Sequence, residues 1–498
     1  MTNKRPLVLI AAAVDSGGGA GVTADVLTVH DHGAWGLPLV LAVTSQSLKQ
    51  VAGVESVSPA MFDNMLNVAL TDWEKISAVK VGLMTDKNIL DSFLNALETK
   101  LKGVNVVWDP VLTATAGRLD SADLKSNLDR ILKVTTIFTP NLPEALELAG
   151  WDKERLKRDG IFNLARVFIE KGAKNVIIKG GHSGDDVNTA DDAFVSKDLA
   201  FIMRLPKVAG DGAHGGGCAL SSALAALLAK DYAPHDAAVL AKAYVYQGIL
   251  EPDLEDNAYR PPLGHHGMAR DLKYFPQIIE EGFPLKADKF KPCPQRLGLY
   301  PVVDSVEWIE LMLAMGVRTI QLRIKDKQDP ELFNKIKRAV FLGKTYKARV
   351  FIDDHYDLAI EAGAYGVHLG MEDLREANLD KIAKSGLHLG VSTHGMYEAL
   401  KALQLNPSYI ALGHIFPTQS KVMPSKPQGI EKLTQEVNLL NDVAPTVAIG
   451  GIKLNNLDGV LASNVGSVAL ITGITKAEDP IATLQEWLTL CKNGGDEL

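Results

Sequence analysis

The chain has 498 residues, well beyond the roughly 250–300 at which a single hydrophobic core stops growing, so two or more domains are expected. Apolar residues make up 46% and charged residues 22%, which excludes a disordered chain. A formal net charge of −8 without a long basic run leaves neither nucleic acid nor an anionic membrane as a partner, so any anionic ligand must be met by local charge.

The N-terminus MTNKRPLVLIAAAVDSGGGAG has the basic start and apolar run of a signal peptide. The run is short and enters a glycine loop carrying Asp15, so it reads as a buried first strand; no stretch approaches the roughly 20 apolar residues that span a bilayer. From there apolar runs alternate with amphipathic stretches: LVLIAAAV, LPLVLAVT, ISAVKVGLM, VNVVWDPV, VTTIFTPN and AKNVIIKGG. Short continuous apolar runs separated by helical patterns predict buried parallel strands with crossover helices, an α/β domain over 1–266.

Several strand ends carry chemistry. WDPV offers Asp109, TPNLPE offers Asn141 and Glu144, and KNVIIKGG offers Lys179. Two acids and an amide suit a hydrated Mg²⁺ that bridges to nucleotide phosphates, although each residue singly is also an ordinary turn or cap former. HGGGCALSSALAALLA, at 214–229, sets Gly215, Gly216 and Gly217 ahead of a helix. The exposed N–H groups and dipole of such a helix start form an anion site and lower the pKa of a thiol there. Cys218 is then open to reading as a base, a thiolate or a small packing residue.

Around 252–295 proline and charge replace periodicity, predicting the end of the first domain and a linker over 267–294, with a short helix near 268–281. A second αβ series follows over 295–498: RLGLYPVVD, VRTIQLRIKD, ARVFIDD, YGVHLG, LHLGVSTH, SYIALGHIF, PTVAIGGI and VGSVALITGI. Eight strands with helix-sized spacers predict a (β/α)₈ TIM barrel, whose active site lies at the C-terminal strand ends. Gln321, Arg323, Lys325, Asp353, Asp354, Ser392, Thr393, Gly450 and Gly451 are candidates from that position alone. The alternation of QLRIKD puts Gln321, Arg323 and Lys325 on one strand face, which suits an anion. Asp354 and Asp373, at consecutive strand ends, could share one Mg²⁺. His368 and His394 read as structural hydrogen-bonding residues.

VDSGGGAGVTADVLT, TSQS, WDPV, TPNLPEA, IKGGH and HGGGCALSSALAA together resemble the ribokinase-like hydroxymethylpyrimidine/phosphomethylpyrimidine kinases over about 5–265. That resemblance implies an α/β/α sandwich, ATP as co-substrate and a pyrimidine near Asp15, Ala20, Val22 and Gln46. It also implies an anion hole at Gly215–Gly217, with Cys218 where the catalytic base stands. Ala13, Val14, Gly216 and Thr23 depart from the family's pattern. GVHLGMEDL, GVSTH, GHIFPTQSK and VAIGGI resemble thiamine phosphate synthases over about 296–490. That second resemblance implies that Gln321 faces the pyrimidine, Arg323, Lys325 and Lys421 grip pyrophosphate, and Asp354 and Asp373 bind Mg²⁺ with Ser392 nearby. Thr418, Ser420, Gly451, Thr472 and Gly473 would take the thiazole phosphate; Asp353 stands where the family has Asn, and Met371 where it has Gln. The two resemblances imply consecutive steps of thiamine biosynthesis in a bifunctional enzyme whose partners are small molecules. Three cysteines, Cys218, Cys293 and Cys491, far apart and without CxxC spacing, fit a reducing cytoplasm, and a homo-oligomer is expected. The alternatives are a kinase-like half kept as a pyrimidine-binding scaffold, and a kinase for a pyridoxal-type alcohol.

Overall fold

The computed structural model describes residues 4–47, 51–73, 75–114, 117–118, 124–180, 188–208, 213–254, 261–285, 290–418 and 425–491. They form two compact units, 1–281 and 282–498. The linker expected at 267–294 is therefore divided between them. Gln277–Ile279 pairs antiparallel with Ala200–Pro206 as an edge strand of the first unit. Phe283 and Phe290 are buried in the core of the second. In place of the short helix expected near 268–281 there is one 3₁₀ turn, Leu272–Tyr274. Sparse apolar anchors at Ile278, Phe283 and Phe290 make these contacts without periodicity, which is why a composition reading takes the stretch for a linker.

The first unit is built on a ten-stranded sheet. All six expected strands are present and mutually parallel, side by side in the order Trp35–Gln46, Leu7–Asp15, Ile76–Val81, Asn105–Trp108, Ile137–Phe138, Asn175–Ile178. In five of them the central residues are almost wholly buried, as continuous apolar runs require when helices cover both faces, whereas Trp35–Gln46 alternates and leaves Val43 half exposed. Antiparallel strands Val51–Ser56, Thr189–Ser196, Ala200–Pro206 and Gln277–Ile279 extend the two edges. The chain turns one way from Leu7–Asp15 to Trp35–Gln46 and then runs the other way from Ile76–Val81 onward. The crevice at the C-terminal ends of Leu7–Asp15 and Ile76–Val81 is thus the topological switch point, where open α/β sheets take their ligands. Helix Gly216–Ala229 packs on Ile76–Val81, Asn105–Trp108 and helix Gly21–Asp31, aiming its glycine-headed start at that crevice.

The second unit is a closed barrel of eight parallel strands, one from each expected run, from Gly298–Val303 to Ser467–Leu470. Its lumen is filled by Tyr300, Phe351, Tyr409, Val447 and Ala469. Branched apolar residues on the outer faces of the strands meet the surrounding helices in a larger core that Trp487 helps close. No helix among the described residues is long and apolar enough to cross a membrane.

Candidate active sites

At the switch point of the first unit, Asp15 ends its strand with its carboxylate buried and fully engaged. Oδ1 accepts the Gly17 N–H at 2.8 Å; Oδ2 accepts the Ala20 N–H at 2.9 Å and meets Nε2 of His214 at 2.9 Å. Burial works to raise the Asp15 pKa, but the His214 bond and the two amides outweigh it and hold the carboxyl below its usual range. The Gln46 side chain lies 3.2 Å from the same His214 nitrogen. Ionised Asp15 is acceptor-only, so the Nε2 proton of His214 is directed to Asp15. Ala20 and Val22 are half-buried on the same loop and helix start.

Three elements interlock here because glycines let their backbones touch. A Cβ on Gly21, at φ +58°, would sit 2.2 Å from the Ala13 carbonyl oxygen, and one on Gly215, at φ +87°, would sit 2.0 Å from that of Gly19. His214 is the functional candidate that the sequence reading passes over. Its position at the head of the glycine run was visible, but its partner Asp15 lies 199 residues away.

Across the helix start, Lys179 donates to Asp109 Oδ1 at 2.7 Å, and a Cβ on Gly217 would lie 3.5 Å from the ammonium and 3.7 Å from Asp109 Oδ2. Desolvation opposes the charge on Lys179, yet Asp109 and Glu144 beside it raise its pKa and keep it cationic. Asn141 and Glu144 form a capping box at the start of helix Leu142–Ala149, each side chain accepting the other's N–H at 2.8 Å. The Asn141 side-chain oxygen is thus spent on the cap, while burial pushes the Glu144 pKa up, against the pull of Lys179.

Cys218 is the third residue of helix Gly216–Ala229 and half-buried. The helix start alone would lower its pKa, but the structure gives the opposite direction. Burial raises the thiol, with Lys80 opposing and Asp25 and Asp109 adding, so Cys218 rests as a protonated thiol at neutral pH.

At the barrel mouth, Gln321 stands near the end of strand Thr319–Leu322, whereas Arg323 and Lys325 lie just beyond it. The Arg323 N–H still bonds the Val303 carbonyl at 2.7 Å, so the pairing continues one residue past the strand, while Lys325 is exposed. Asp353 joins the first two: it accepts the Gln321 amide at 2.6 Å and Arg323 Nε at 2.9 Å. Burial pushes the Asp353 carboxyl up to about 7, with Asp354 adding and Arg323 opposing. Asp354, at φ +60°, is raised by burial and then by the charge of Asp373, whose own Oδ2 accepts the Gly370 N–H at 3.1 Å. Two carboxylates that repel each other at a strand-end rim suit a divalent cation that retains several waters.

Ser392 lies 2.8 Å from His368 Nε2, and His368 Nδ1 lies 2.7 Å from the Tyr409 hydroxyl. Burial, and then the Arg323 charge, bring the His368 pKa down to about 4, so this imidazole is neutral. His394 Nδ1 lies 2.9 Å from Glu398 Oε2, one turn along the chain.

Gly450 and Gly451 make a left-handed turn against the chain carrying Thr418: a Cβ on Gly451 would come within 2.6 Å of the Phe416 and Pro417 carbonyl oxygens. Thr472 and Gly473 form the turn after the last strand. Ser420 and Lys421 fall outside the described residues.

Residues 15–261 match the family model for phosphomethylpyrimidine kinase, and residues 299–474 that for thiamine monophosphate synthase. A thiamine-phosphate synthase from Klebsiella pneumoniae is 55% identical over 208 residues, which is 42% of this chain and 98% of that protein. Among solved structures, phosphomethylpyrimidine kinase from Clostridium difficile is 29% identical with a TM-score of 0.42, covering 49% of this chain and 98% of its own. A pyridoxal kinase from Staphylococcus aureus, in complex with AMP-PCP and pyridoxal, is 25% identical with a TM-score of 0.46, covering 53% and 95%. Through its barrel the chain belongs to the thiamine-phosphate synthase family, and with a phosphomethylpyrimidine kinase domain ahead of that barrel it is a bifunctional enzyme of thiamine biosynthesis.

Proposed function

We propose that the first unit uses ATP to phosphorylate 4-amino-5-hydroxymethyl-2-methylpyrimidine and then its monophosphate. The second unit joins the resulting diphosphate to hydroxyethylthiazole phosphate, releasing pyrophosphate. The observation that carries this reading is that each family match contains an anion-directed site in a ligand-binding crevice of its fold, and that the first domain's product is the second domain's substrate.

In the kinase unit, Asp15, His214 and Gln46 offer fixed polar groups to a pyrimidine, with Ala20 and Val22 beside it. The hydroxymethyl oxygen attacks the γ-phosphorus, the bond from that phosphorus to the ADP oxygen breaks, and Cys218 in its thiolate form takes the hydroxyl proton. Amides at Gly215–Gly217 and the Lys179 ammonium receive the charge on the transferring group. Asp109 and Glu144 would hold Mg²⁺, which supplies charge neutralisation on the nucleotide phosphates.

In the barrel, Gln321 orients the pyrimidine and Arg323, joined by Lys325 and Lys421, draws off the pyrophosphate. Departure leaves a pyrimidinylmethyl cation that the thiazole nitrogen captures, so water exclusion and charge stabilisation matter more than a base. Asp354 and Asp373 would hold Mg²⁺, adding positive charge at the leaving group. The Gly451 and Thr472–Gly473 turns, with Thr418 and Ser420, seat the thiazole phosphate.

The test is separate assay of each half-reaction with the full chain and its Cys218→Ala variant. ATP-dependent conversion of hydroxymethylpyrimidine to the diphosphate, lost in Cys218→Ala while coupling of supplied diphosphate persists, supports the reading. Pyrimidine binding without turnover would instead make the first unit a scaffold, and turnover of pyridoxal alone would reassign its substrate. The enzyme acts on small molecules in a cytoplasmic setting, as a homo-oligomer.

A further inference from the structure

Behind the Cys218 thiol lies a buried charge pair that the mechanism above leaves unused. Lys80 and Asp25 are both completely excluded from solvent and meet at 2.6 Å. Ser222 completes the group by donating to the other Asp25 oxygen at 2.8 Å. Each member ties the pair to the thiol. Ser222 follows Cys218 by four residues and so shares its helix face. Asp25 sits one turn into helix Gly21–Asp31, whose first N–H, that of Gly21, bonds Cys218. Lys80 precedes the end of strand Ile76–Val81 and reaches toward the crevice, since a Cβ on Gly82 would lie 2.9 Å from its ammonium.

A buried ion pair contributes little to stability compared with apolar residues of the same shape, whereas removing one partner is costly. Fixing a pair here at the expense of packing therefore asks for a role.

We propose that Lys80, clamped by Asp25 and Ser222, is a positioning residue of the kinase site, its ammonium supplying the counter-charge for the thiolate form of Cys218. The proposal rests on the kinase reading of this site. The charges acting on the thiol are Lys80 from its strand, Asp25 from the neighbouring helix, Asp109 from the adjacent strand end and Lys179 opposite it. Lys80 alone among the first three favours the anion, and Asp25 holds it while limiting its effect.

The experiment reads the pH midpoint of Cys218 alkylation by iodoacetamide in the full chain without substrate, following the Cys218 peptide by mass. Lys80→Met should raise the midpoint by at least one pH unit, a tenfold loss of thiolate at fixed pH, and Asp25→Asn should lower it. The paired Lys80→Met/Asp25→Leu replacement removes both charges without leaving either unpaired, so it keeps the fold. It should raise the midpoint and cut kinase kcat at least tenfold with the KM for hydroxymethylpyrimidine little changed. Equal midpoints in the folded variants, or shifts in the same direction for Lys80→Met and Asp25→Asn, overturn the proposal. Opposite shifts in a chain that phosphorylates no pyrimidine would uphold the electrostatic assignment and reject the kinase reading instead.

Discussion

Cys218 is where local and tertiary effects on one residue pull apart. A helix start lowers a thiol pKa, but removal from water raises it, and in this structure burial dominates. The sign for activity follows: if the thiolate takes the proton, the active fraction grows as pH rises toward the elevated thiol pKa. Kinase kcat/KM should climb about tenfold per pH unit through the alkaline range in a pH–rate profile. A flat profile there would remove Cys218 from the base role. In the barrel, Arg323 is held by Asp353 at 2.9 Å, and the proposed mechanism gives it the leaving group. Arg323→Ala should cost about 10²–10³ in coupling rate in a steady-state synthase assay, as the loss of one preorganised donor does elsewhere. Asp353 was legible as a departure in the sequence. That it would lie between Gln321 and Arg323 was not, because the contact crosses from one strand to the next.

At the scale of elements, the buried strands were legible because continuous apolar runs have few other readings, and all six parallel strands and all eight barrel strands lie in the expected runs. The antiparallel edge was not. Thr189–Ser196 carries Asp191 and Asp192 in its middle, which argue against a strand until their partners are seen: Arg204 at 2.6 Å on the next strand and Lys242 at 2.7 Å from a helix. Glycine turns are the elements on which the sites depend most. Gly215→Ala would force a Cβ to within 2.0 Å of a carbonyl oxygen at positive φ, so it should abolish kinase turnover while leaving synthase turnover intact in paired assays. Gly451→Ala, at 2.6 Å from two carbonyl oxygens, should do the converse, seen first as a raised KM for the thiazole phosphate.

At the scale of the molecule, two cores account for two activities. Each also contains a buried histidine, His32 and His368, whose pKa burial lowers from 6.5 to about 4. The unfolded chain binds more protons than the folded one between those values, so stability is full above pH 6.5 and is lost as pH falls toward 4. The loss is up to about 3 kcal/mol per histidine. His368→Gln should flatten that acid slope for the barrel's unfolding transition in urea titrations across pH 4–7, leaving the other unit's slope unchanged. The resemblance of each half to a family was legible in short motifs. The boundary at 281/282 was not, because the buried apolar residues around it, Tyr274, Phe275, Ile278, Phe283 and Phe290 among them, follow no regular period.

The central claim is that one polypeptide makes a pyrimidine diphosphate and then consumes it. The most direct measurement supplies isotope-labelled hydroxymethylpyrimidine, ATP, Mg²⁺ and hydroxyethylthiazole phosphate to the Arg323→Ala variant and follows the label. Accumulation of label in the diphosphate, with little thiamine phosphate formed, is the predicted result. Label that remains in the free alcohol, under conditions where the unmodified chain couples supplied diphosphate, would contradict it.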